Sequence, residues 1–187
     1  MASTRPRPRI HQEDLRLYSL ALNNKWTKQE IYRNISSETP FFVYDSLLLP
    51  WVLATVLDPN RTTQGFEEAA RHATRATLHK HFRVVISLDQ TPTVVKSKSE
   101  ATVDGMLVGG LTAEMAARID GYTRSGQLRK ELEEVEIETS QGEKIYVAAY
   151  VYVWKASTKL LEAKDWSPLE YMRIAADHNN SRSMDSS

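Results

Sequence analysis

Phe41-Phe42-Val43-Tyr44, an unbroken aromatic and β-branched run after Pro40, leads straight into Asp45-Ser46. Such a run predicts a short buried strand. Residues 47–57 are densely apolar, with Pro50 placed for a first helical turn. Strand, polar turn and helix in that order bring a carboxylate and a hydroxyl to a helix start. Helix-start N–H groups bind phosphate or carboxylate, or are capped by a side chain such as that of Asp45. His79 and His81 lie two apart in a β-rich stretch, and period-2 alternation predicts both on one side. Two imidazoles alone make a poor metal site, and no third ligand is evident nearby, so a surface or hydrogen-bonded pair is expected. The chain has no cysteine, which excludes thiol nucleophiles, disulfides, Cys-ligated zinc and iron–sulfur clusters. It also lacks a glycine-rich phosphate loop, a dinucleotide fingerprint, HExxH and GxSxG.

The elements that position these groups follow from pattern. Residues 10–35 read as helical, with Thr27 and Glu30 spaced as a capping box that starts a second helix. A short helix is expected at 66–75. Strands are expected at 76–87, 91–95 and 103–108, the last followed by a Gly109-Gly110 turn. Thr112 reads as the N-cap of a compact helix to Ile119, with Leu111 and Met115 set for a hydrophobic staple. Residues 122–127 read as a polar loop. Residues 133–139 and 144–154 read as a hairpin. Ser167 and Pro168 open a last helix to 176.

At 187 residues the chain suits one domain with extensions. Lys+Arg and Asp+Glu both number 24, and this neutrality argues against a nucleic-acid partner. The longest apolar-rich run, 41–57, is broken by Asp45, Ser46 and Pro50, so no membrane span is expected. Residues 1–9 are basic and proline-spaced with no apolar stretch behind them, which predicts a flexible arm and a cytoplasmic protein. Residues 177–187 are small and polar and predict a disordered tail.

The stretch 41–50 resembles the signature of the gamma-glutamyl cyclotransferase-like superfamily, which includes the plant avirulence-induced-protein-like branch. There a strand ends in Tyr-Gly-Ser-Leu and a helix follows. Further pieces resemble it in order: the strand at 76–82, the strand at 91–95, Val103-Asp104-Gly105-Met106-Leu107, Leu111-Thr112-Ala113-Glu114, Ile119-Asp120-Gly121-Tyr122 and Tyr150-Val151-Tyr152-Val153-Trp154. The resemblance implies a small α+β fold, with a mixed, mostly antiparallel closed or nearly closed β-barrel surrounded by helices. It implies an N-terminal helical extension at 10–38 and the family domain at 39–176. It also implies a loop that clamps a small substrate, with no cofactor and no metal.

The departures from the family pattern direct the functional expectation. The family's acid/base glutamate falls at Thr123, which has no proton that titrates near neutral pH. The glycine of Tyr-Gly-Ser-Leu is Asp45, whose charge would repel a glutamyl carboxylate. A further family tyrosine falls near Leu128 or Arg129 and is missing. The expectation is a small-molecule enzyme with altered chemistry: cyclisation, elimination or isomerisation. Asp45, Tyr122 and Thr123 are its catalytic candidates. Tyr44, Ser46, Leu47 and Asp120 are its substrate-binding candidates. Asp45 would act as acid/base or bind a cationic or hydroxylated ligand. The alternatives are a non-catalytic binding or scaffold protein, and a gamma-glutamylamine cyclotransferase that releases 5-oxoproline. Glu131, Glu133 and Glu134 read as a solvated face.

Overall fold

Strands buried on both faces need continuous apolar sequence, and strands buried on one face need alternation. Both patterns appear in the computed structural model of the protein, which describes residues 10–60, 65–123 and 125–174. The expected arm at 1–9 and tail at 177–187 lie outside these residues, as does the end of the last helix beyond 174. Strand β1 (Phe41–Val43) is wholly buried. Phe42 and Tyr44 enter one apolar cluster, while Phe41 and Val43 enter another. The unbroken aromatic and β-branched run thus serves two cores at once.

The chain is α+β with a closed barrel, in the order β1, β5 (Thr102–Val108), β2 (Ala73–His79), β6 (Leu128–Glu138), β7 (Lys144–Trp154). All neighbours are antiparallel except β1 and β7, which close the barrel in parallel at Phe41 opposite Tyr150. Strand β7 alternates as the inside of a barrel requires. Val147, Ala149, Val151 and Val153 join the cluster that holds Phe42, Leu78 and Leu107. Tyr150 and Tyr152 pack on the other side. A second sheet, β4-β3-β8, is formed by β3 (His81–Ile86), β4 (Pro92–Lys96) and β8 (Leu161–Glu162).

Helices cover the barrel from outside. Helix α1 (Gln12–Asn23) buries Leu17 and Ala21, and α2 (Lys28–Ser36) buries Ile31. The Thr27–Glu30 capping box forms in full. Helix α3 (Pro50–Leu57) starts with Pro50 in its first turn and packs on α4 (Gly65–Arg71). Helix α5 (Ala113–Thr123) is capped by the Thr112 hydroxyl, which accepts the Met115 N–H at 3.2 Å.

Several expectations are corrected. The strand read at 76–87 is two strands in different sheets. Lys80 adopts φ 57°, a left-handed conformation that turns the chain between them. His79 and His81 therefore do not form a pair on one side. His79 lies on the barrel surface with Nε2 3.1 Å from Glu136, whereas His81 is buried, its Nδ1 against the His79 carbonyl. Pro50 opens its helix as its placement predicts, but the residues just before it, 46–48, form a 3-10 turn. Helix α5 runs on through Tyr122 and Thr123, so the polar loop starts later than the pattern predicts. Glu131 and Glu133 are not simply solvated: both accept from Lys96, at 2.6 and 2.8 Å. They share the strand face of Val135 and Ile137, which the sign of their charge concealed. Glu134 is exposed, as expected.

Candidate functional site

A cavity of about 980 Å³ opens where the end of β1, the β3–β4 hairpin, the end of α5 and the segment 164–174 meet. That volume is the size of a generous small-molecule site. Each wall has a local cause. Strand β1 stops because Asp45 turns back on itself: its Oδ1 accepts the Leu47 N–H at 2.9 Å and caps the 3-10 turn at 46–48. The turn points Asp45 and Ser46 to the cavity and buries Leu47 and Leu48 in the core. The last turn of α5 then brings Tyr122 against Ser46, with the two hydroxyls 2.9 Å apart.

Asp45 is half-buried, its free surface facing the cavity. Burial pushes its carboxyl above the ordinary value of 3.8, against the Leu47 N–H and the nearby Arg83 guanidinium, which favour the anion. Burial likewise pushes the Tyr122 phenol up, and the Ser46 hydroxyl opposes it. The Tyr44 phenol is raised further, chiefly by burial. Its hydroxyl donates to the Tyr152 carbonyl, so at this position aromatic packing and a backbone bond fix the strand end.

The structure gathers Asp45, Ser46, Tyr122, Thr123 and Tyr44 on one cavity. It leaves out two candidates. Leu47 is 1% exposed, and its N–H is already taken by Asp45. Asp120 accepts from Lys130 at 2.8 Å and from the Tyr152 hydroxyl at 2.6 Å, in a separate depression of about 490 Å³. It ties α5 to the barrel, and Lys130 lies over the Tyr150 ring at 3.9 Å.

Other wall residues carried no signal in the sequence. Thr93 on β4 and Trp166 and Tyr171 of the 164–174 segment all line the cavity. The hydroxyls of Thr93 and Thr123 are buried and have no hydrogen-bond partner among the described residues. Arg83, just behind the wall, donates to the Asp104 and Trp166 carbonyls and lies over the Trp166 ring at 5.6 Å. Burial lowers its pKa, and its Nε lacks a partner among the described residues. Among the described residues, no cluster of three or more His, Cys, Asp or Glu side chains is arranged to hold a metal ion. No helix among them is long and apolar enough to cross a membrane.

This architecture has relatives. One Arabidopsis thaliana protein of known solution structure is 25% identical, with a TM-score of 0.52, over 78% of this chain and 81% of that one. A second Arabidopsis thaliana solution structure is 22% identical, with a TM-score of 0.50, over 77% of this chain and 87% of that one. No curated protein matches this chain. Residues 41–168 match the family model described as gamma-glutamyl cyclotransferase, AIG2-like. They run from β1 through the barrel, the second sheet and the start of the 164–174 segment, so the chain belongs to that family.

Proposed function

We propose that this protein is a small-molecule enzyme that moves protons through Asp45 instead of through a glutamate at the end of α5. One observation carries the reading. Asp45 is a half-buried carboxylate of the cavity wall, its affinity for a proton raised by burial, beside the hydrogen-bonded Ser46–Tyr122 pair. A general base must lie within hydrogen-bond reach of the proton it takes and have a pKa suited to the task. As the anion, Asp45 takes a proton from a substrate O–H, N–H or C–H. As the acid, it returns that proton to a leaving group or to a second position on the same molecule. Cyclisation, elimination and isomerisation all fit this balance. Ser46 and Tyr122 are placed to hold a substrate oxygen by hydrogen bonds. At Thr123 a hydroxyl replaces a carboxylate, which supports a departure from the glutamyl reaction.

Proton transfer can be followed before the substrate is identified. An extract of small metabolites is incubated in D2O with the protein, and masses are followed. The wild type is expected to put solvent deuterium into one compound or convert it. Asp45→Asn should lower that rate by about 100-fold or more. An unchanged rate removes Asp45 from the mechanism. Release of 5-oxoproline from gamma-glutamyl amines at about 1 s⁻¹ or faster would overturn the altered chemistry. Binding with neither exchange nor conversion would favour a non-catalytic binding protein.

A further inference from the structure

Asp45 is one of four carboxylates on the cavity wall; the others are Asp89, Asp165 and Glu170. One ammonium, Lys164, opposes them, and its Nζ is held by the Gln90 side chain at 2.7 Å. Arg83 and Arg173 lie close but outside the wall. Arg83 donates to two carbonyls and keeps its charge near Asp45, and Arg173 pairs with Glu170 at 3.0 Å, so the acidic excess around the cavity is smaller than its wall alone gives. The last turn of α5 also forms part of the wall, and C-terminal helical carbonyls carry partial negative charge.

A second, independent feature points to a ligand. Thr93 is 1% exposed and lines the cavity, and its hydroxyl has no hydrogen-bond partner among the described residues. Tyr44 lies beside it, its phenol donating to the Tyr152 carbonyl, and its oxygen is near enough for a weak electrostatic contact with the Thr93 hydroxyl but outside hydrogen-bond geometry. A buried hydroxyl left unpaired is costly, and a polar ligand group, an N–H among them, would satisfy it. The aromatic faces of Trp166 and Tyr171 add apolar area, with ring centroids 6.0 Å apart. Such faces attract cations, and Arg83 already lies over one side of Trp166.

We infer that the cavity takes a substrate with a protonated amine on an apolar body and no free carboxylate. This deepens the proposed role of Asp45 and rests on it: the anionic base holds the cationic nitrogen next to the proton it moves.

The test reads binding without turnover. Three probes share one body and differ in end charge: 2-phenylethylamine, 2-phenylethanol and 3-phenylpropionate. Calorimetric titration should show the amine binding about tenfold tighter than the alcohol, with the carboxylate weakest. Asp45→Asn keeps an acceptor for the Leu47 N–H and should erase most of that preference. Glu170→Gln, on the exposed rim, should reduce it about twofold and serves if the first variant does not fold. Thr93→Val should weaken the amine, and an unchanged amine affinity removes Thr93 from the site. Equal binding of all three, tightest binding of the carboxylate, or no saturable amine binding below about 10 mM overturns the inference. Loss of amine preference in the wild type with deuterium exchange intact would sink the ligand class alone. The reverse pattern would sink the catalytic role alone.

Discussion

Asp45 costs the free protein stability, and the pH at which it does so follows from the direction of its shift. Burial raises its folded-state pKa above 3.8, so around that pH and above, the folded state holds the proton more tightly than the unfolded chain. Its contribution to stability is fully present below 3.8 and is lost as pH rises through the folded value. Asp45→Asn is therefore expected to raise the melting temperature at pH 7 and leave it nearly unchanged at about pH 3. Equal effects at both values would show that Asp45 is not perturbed. Catalysis has the opposite sign. A base works as the anion, so kcat/KM should fall on acidification through the same raised value. Thr123 offers a second check at this scale. Its buried hydroxyl lacks a partner among the described residues, so Thr123→Val should stabilise the free protein by about 1 kcal/mol in urea unfolding. Asp45, Ser46 and Tyr122 were legible in the sequence because a strand end and a family motif frame them. Thr93 was not, because nothing local distinguishes it from any other threonine at the start of a strand.

At the scale of elements, β1 depends on one glycine of its neighbour. A Cβ at Gly105 would lie 2.5 Å from the Val43 carbonyl oxygen and 2.5 Å from the Phe42 ring. The carbonyl belongs to backbone and cannot step aside. Gly105→Ala should cost about 3 kcal/mol in chemical denaturation and disturb the strand that ends at Asp45. The turn between β2 and β3 is a different case. Lys80 holds φ 57° with no glycine to ease it, and a β-branched side chain suits that region least. Lys80→Val should cost about 1–2 kcal/mol by the same measurement. This is also why the sequence misled at 76–87. Thr77 to Ile86 has strand character throughout, and a left-handed lysine leaves no mark in an apolar pattern. The capping box at Thr27, the proline at the start of α3 and the alternation of β7 were legible because each is a local physical rule that the fold obeys.

The cavity is a property of the whole chain, since its walls come from four stretches far apart in sequence. The 164–174 segment completes it, and among the described residues few hydrogen bonds tie that segment to the rest. Strand β8 just before it pairs with β3 at Leu161 opposite Ile86, Met172 is buried, and Trp166 is stacked by Arg83, which also donates to its carbonyl. The polar and strand ties lead to the second sheet, Trp166 also packs against the cluster outside the barrel, and the barrel is closed by its own ladders. Opening of the segment should therefore be a local event, at lower free energy than global unfolding. Trp166→Ala removes the ring that Arg83 covers, at the edge of the cluster outside the barrel, and leaves the cluster of Phe42, Leu107 and Val151 intact. Amide exchange within 164–174 should then quicken more than about tenfold, while β6 and β7 exchange as before. If exchange rises equally in the segment and in the barrel, the two unfold as one unit, and the cavity has no independent wall to open.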